Sequence, residues 1–150
     1  MAREAVISID CSKYSNRISD IIKQFDNIGW GFKDNIMKYL PIHDNDMFEW
    51  REEKLSYEKL FSLVSEKQAL GEAVGVQLFH NKSDHGTTLY AKSTKEITLF
   101  LDYNRRIMYN TEGTVGGAFT DISWYVYHIV FALEKAGCPV EDMTYNEYWG

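Results

Sequence analysis

The chain has 150 residues, with 16 Lys+Arg against 22 Asp+Glu, a formal net charge of −6 and a hydrophobic share of 45%. That length suits one domain with one core, and the composition is that of an ordinary globular protein. No apolar run approaches the roughly 18–20 residues of a membrane helix, and the opening MAREAVISID has no secretory h-region, so a cytoplasmic location is expected. Cys11 and Cys138 form no metal-like pair and are too few for a disulfide framework, so reduced, unpaired thiols are expected.

Residues 5–10 (AVISID) read as a short strand. Ile18, Ile21, Ile22 and Phe25 then recur at helical spacing, with Ser12 or Ser15 as cap and Gly29 just past the end. Trp30, Phe32 and Ile36 keep an even phase through residues 30–40, a strand pattern that Pro41 closes. Ser56 caps a second helix over about 56–70, ended by Gly71.

Four strand patterns follow in residues 72–80, 87–92, 96–103 and 106–110. The clearest has Ile97, Leu99, Leu101 and Tyr103 in phase. Connections this short permit only antiparallel neighbours, so residues 72–110 are expected to form a β-meander. A Gly-rich loop (111–119) leads to a long C-terminal helix over about 120–136, started by Thr120 or Asp121 and ended by Gly137 and Pro139. Its one face is Ile122, Tyr125, Ile129, Leu133 and Ala136; a second stripe is Trp124, Tyr127 and Phe131. So wide an apolar surface is buried on two sides or meets a partner. The expected class is α+β, a single domain with the meander packed against helices.

The acidic excess is local. Residues 42–53 (IHDNDMFEWREE) hold Asp44, Asp46, Glu49, Glu52 and Glu53 against Arg51, a net −4. The tail 137–150 holds Glu141, Asp142 and Glu147 with no base, a net −3. Clustered acidity interleaved with Phe48 and Trp50 points to a basic partner; two solvated loops are the plainer alternative. Direct nucleic-acid binding is disfavoured, because bases are scattered and only Arg105 and Arg106 are adjacent.

Catalytic and metal patterns are weak. Gly113, Gly116 and Gly117 fit neither G-x-G-x-x-G nor a phosphate loop. A calcium loop from Asp44 fails at Phe48, Glu49 and Leu55, its fifth, sixth and twelfth positions. His80 and His85 flank a turn with Asp84 and could offer zinc ligands, though histidines at strand ends are commonly solvent-facing. No catalytic, cofactor or metal residue is assigned.

The order of features resembles that of bacterial immunity proteins of contact-dependent growth inhibition and related polymorphic toxin systems. The resemblance is carried by YLPIHDNDMFEW (39–50), EKQALGEAVGVQLF (66–79), ITLFLDYNRRIMYN (97–110) and TDISWYVYHIVFALEKAG (120–137), about two-fifths of the chain. It implies a cytoplasmic antitoxin that binds a cognate toxin domain, often a nuclease, and blocks it without doing chemistry. No binding residues carry over from the family. The residues themselves nominate Asp44, Asp46, Phe48, Glu49, Trp50, Glu52 and Glu53, where carboxylates can compete with phosphates and aromatics can anchor. Two other readings stand beside this one: a small-ligand binder or enzyme with a pocket between the meander and the last helix, and a subunit that self-associates through the Trp124 stripe.

Overall fold

The computed structural model describes residues 3–108 and 119–149. The chain is α+β, built on an antiparallel sheet. The strands are β1 (Arg3–Asp10), β2 (Trp30–Gly31), β3 (Ile36–Tyr39), β4 (Arg51–Lys54), β5 (Val74–His80), β6 (Gly86–Ser93), β7 (Glu96–Tyr103), β8 (Ile107–Met108), β9 (Phe119–Thr120) and β10 (Asp142–Trp149). The main sheet runs β10-β1-β7-β6-β5-β3-β4, with β2 also paired to β5, while β8 and β9 form a separate pair.

Alternation along the strands selects one face for the core. Ile7, Ile9, Val76, Leu78, Leu89, Ile97 and Leu99 are at most 2% exposed and point to that face. Against them pack Ile18, Ile21, Ile22 and Phe25 of α1 (Ile18–Asn27), and Leu60 and Val64 of α2 (Tyr57–Ala69). Tyr125, Ile129 and Leu133 of the last helix complete the cluster and fill the space between the meander and that helix. Each such side chain contributes about 1.5–3 kcal/mol on burial.

The second helix matches its sequence signals. The Ser56 hydroxyl accepts the Lys59 amide at 3.2 Å, and Gly71 takes the left-handed φ of +74° that ends the helix. The first helix is capped differently from expectation. Neither Ser12 nor Ser15 serves as its cap; the Ile18 amide donates to Gln68 Oε1 of α2 at 2.9 Å, so a neighbouring helix supplies the acceptor.

Four other expectations need correction. The 30–40 strand is two strands, because Asp34 and Asn35 adopt φ of +56° and +59° and turn the chain between them. The meander ends at β7: its free edge pairs with β1, while β8 turns away, with the Arg106 amide donating to Tyr125 Oη at 2.8 Å. Tyr109, Asn110 and most of the Gly-rich loop lie outside the described residues. The last helix is neither long nor uniformly α-helical. It covers 14 residues, α-helical over Ile122–Tyr125 (α3), π-helical over Val126–Phe131 and α-helical again over Ala132–Lys135 (α4). The Trp30 indole inserts at the π segment, donating to the His128 carbonyl at 3.0 Å. Nor is that helix the last element, since the acidic tail is strand β10, paired with β1 from Arg3↔Trp149 to Asp10↔Asp142.

Both cysteines are buried and free, and Cys138 is the neighbour that, with burial, raises the Cys11 thiol. No helix among the described residues is long and apolar enough to cross a membrane.

Candidate functional site

The second face of the sheet carries the other half of each alternation. Val6, Gln77, Tyr90, Thr98 and Phe100 are only half-buried there. Register aligns one row across five strands, Val6 opposite Phe100, Phe100 opposite Thr88 and Thr88 opposite Gln77, with Lys38 of β3 beyond, and sets Tyr90 opposite Thr98 beside it. The described helices bury their apolar residues on the opposite face, so this face is uncovered among the described residues.

One edge of this face is built by residues 41–50. The Asp44 carboxylate accepts three main-chain amides, from Met47 at 3.0 Å, Phe48 at 3.0 Å and Glu49 at 2.7 Å. The fully buried Lys67 ammonium donates to the Pro41 carbonyl at 2.6 Å, the Asp44 carbonyl at 2.7 Å and Glu72 Oε1 at 3.1 Å. A buried ammonium is tolerated when all three of its donors are used. The Ala73 amide donates to Asn45 Oδ1 at 2.8 Å and ties the loop to β5. Burial works to raise the Glu72 carboxyl, but the His43 amide and the Lys67 ammonium outweigh it and hold it below its ordinary value.

The loop so fixed presents its aromatics to the uncovered face. Phe48 is half exposed, at φ +55°, with its ring 5.9 Å from that of Tyr90. Trp50 lies over Gly75, where an added Cβ would come within 2.8 Å of the indole and 2.7 Å of Leu40 Cδ1. The Lys38 ammonium sits 5.9 Å from the Trp50 ring centroid.

The seven nominated residues divide accordingly. Phe48, Trp50 and Glu52 come together on the uncovered face, with Glu52 directly across from Lys38. Asp46 and Glu49 are exposed on the loop. Asp44 is not available as a surface carboxylate: it is 6% exposed and spent on the three amides. Glu53 points the other way, accepts the Tyr39 hydroxyl and belongs to edge strand β4.

Sequence reasoning missed the floor of the site. Lys38, Gln77, Thr88, Tyr90, Phe100 and Asp102 join Phe48 and Trp50 around a groove of about 240 Å³. The Thr88 hydroxyl donates to the Asp102 carboxylate at 2.9–3.0 Å. Asp102 stays accessible to solvent although the strands crowd it; that crowding raises its carboxyl above the ordinary range, against the Thr88 bond, which lowers it. A second groove of about 480 Å³ adjoins on the far side of Phe100 and Asp102, lined also by Glu4, Val6 and Arg105. The available signal was the polar phase of the strands, with Thr88 and Tyr90 on β6 and Phe100 and Asp102 on β7.

The histidines form a different cluster. His80 lies 5.1 Å from His128 and 5.2 Å from Trp124, ring centre to ring centre, and His85 lies 5.0 Å from Trp124. His80 Nδ1 meets Ser83 Oγ at 3.0 Å, and His85 Nδ1 meets the Asn104 carbonyl at 2.5 Å. Burial lowers the pKa of His80 and of His128. Among the described residues no three potential ligands converge on a metal position. The second aromatic stripe is split: Trp124 belongs to this cluster, whereas Tyr127 and Phe131 are more than half exposed.

Comparison of the chain with protein-family models, with curated proteins and with solved structures returns no match.

Proposed function

We propose that this chain is a protein-binding inhibitor of the immunity type, which covers a basic toxin domain, such as a nuclease, with the uncovered sheet face and the 41–50 loop at its edge. One observation carries the reading: Phe48 and Trp50 are held at the surface by a loop whose shape is set from within by Asp44 and Lys67. A site ordered before binding loses less entropy on association, and aromatic anchors beside a groove slow release. Asp46, Glu49 and Glu52 stand around them, and carboxylates there compete with the phosphates that a nuclease cleft binds. The resemblance to immunity proteins and the net charge of −6 agree with a basic partner.

The test is co-expression with a candidate toxin domain, such as one encoded by a neighbouring gene. Growth should be restored and the two chains should co-purify as a stoichiometric complex. Trp50→Ala should speed dissociation, at a cost on the order of 2 kcal/mol. A toxin that remains active in the presence of the wild-type chain removes the reading.

A further inference from the structure

The groove on the uncovered face has a composition that selects its ligand. Tyr90, Phe100, Phe48 and Trp50 line it with aromatic rings, and Asp102 lines it with a carboxylate. Asp102 has no cation within ion-pair distance among the described residues. The one base lining the groove, Lys38, has its ammonium 5.9 Å from the Trp50 ring centre and acts on Asp102 only at longer range than an ion pair. The carboxylate is thus solvent-accessible, with a single neutral donor, Thr88 Oγ1, as its side-chain partner. A carboxylate beside aromatic faces and without an ion-pair partner can take a visiting cation in a charge-assisted hydrogen bond.

We propose that this groove is a socket for the guanidinium of an arginine side chain on the protein partner, stacked against Tyr90 and Phe100 and paired with Asp102. A flat guanidinium lies on aromatic faces, offers its edge to a carboxylate and is more weakly hydrated than an ammonium, so it suits these rings better than lysine does. The proposal rests on the reading of the partner as a basic protein and names the residue that reaches this point.

The socket can be probed without that partner. N-acetyl-arginine amide is titrated into the full chain and followed by NMR on the Trp50 indole proton and the amides of Thr88, Tyr90 and Asp102. N-acetyl-citrulline amide, N-acetyl-lysine amide and free L-arginine serve as comparisons. Saturable shifts are expected with the capped arginine in the millimolar range, at least about threefold weaker with lysine and absent with citrulline, which has arginine's shape without its charge. Asp102→Asn should weaken arginine binding about tenfold with its Thr88 contact and native fold retained. Equal binding of citrulline, or full binding by Asp102→Asn, overturns the socket. So does the absence of saturable shifts. Free L-arginine binding tenfold tighter than the capped form would also overturn it, by making the ligand a metabolite rather than a side chain. Failure here with toxin neutralisation intact removes only the socket. Arginine binding in a chain that neutralises no toxin removes only the proposed function.

Discussion

The Lys67 ammonium donates at 2.7 Å to the main-chain carbonyl of Asp44, the residue whose own carboxylate gathers the next three free amides. One buried charge therefore fixes the residue that shapes the loop. Replacing Lys67 by Met removes the ammonium donor from the Pro41 and Asp44 carbonyls and leaves Glu72 with the His43 amide as its hydrogen-bond donor. A loss of about 3 kcal/mol is expected in urea unfolding, with faster amide exchange at Met47–Glu49. Unchanged exchange there would show that the loop holds its shape without Lys67.

Gly75→Ala tests the seat of Trp50. The new methyl would meet Leu40 Cδ1 at 2.7 Å and the indole at 2.8 Å, so one of them must move. The expected cost is about 1–3 kcal/mol, with a shift in Trp50 fluorescence. Combined with Trp50→Ala, the two changes should cost less than their sum, because the indole clash is gone.

Among the acidic residues, the pair Asp46 and Glu49 should govern encounter with a basic partner. Replacing both by Ala should slow association and flatten its salt dependence while leaving the melting curve alone. Asp44→Ala should behave differently, lowering stability by about 2 kcal/mol through three orphaned amides. Stopped-flow association at several salt concentrations, with melts of each variant, separates the two roles.

The histidine cluster sets a pH window. Burial first, then the neighbouring His128, His85 and Lys82, lowers His80; burial, then Arg106, lowers His128. The folded chain thus binds these protons less readily than the unfolded chain. Stability should be full above the ordinary value of 6.5 and fall as pH drops below it through the lowered folded values. Asp102 has the opposite sign: its raised carboxyl costs stability once pH exceeds the folded value, and that cost is absent below the ordinary 3.8. Asp102→Asn should therefore unfold at higher urea than wild type at pH 7. Denaturation midpoints from pH 4 to pH 8 check both signs.

Cys11 and Cys138 are both fully buried free thiols, and the neighbouring Cys138, together with burial, raises the Cys11 thiol. A thiol reagent should react with neither in the native chain and with both in urea. Replacing either by Ser should lower stability modestly, since a small apolar group is exchanged for a hydroxyl in the core.

Residues 57–69 and 74–103 were legible because their signals are local. The Ser56 cap, the helical spacing of Leu60 and Val64, and the strict alternation of Ile97, Leu99 and Leu101 act within a few residues of themselves. β10 was not, because DMTYNEYW lacks the β-branched apolar alternation of a central strand; its partner is β1, at the far end of the chain. The cap of α1 was hidden for the same reason, since its acceptor Gln68 lies 50 residues away.

The order of helices and strands, the clustered acidity and the choice of Phe48 and Trp50 as anchors came from residue order, because hydrophobic period and charge are properties of short segments. Only the tertiary structure decided which acids face solvent. Asp44 and Asp46 are chemically alike and two positions apart, yet one is consumed by three amides over a buried lysine and the other is exposed. It also decided that Phe48, Tyr90, Phe100 and Asp102, spread over more than fifty positions, line one groove, because antiparallel register brings every second residue of neighbouring strands onto one face.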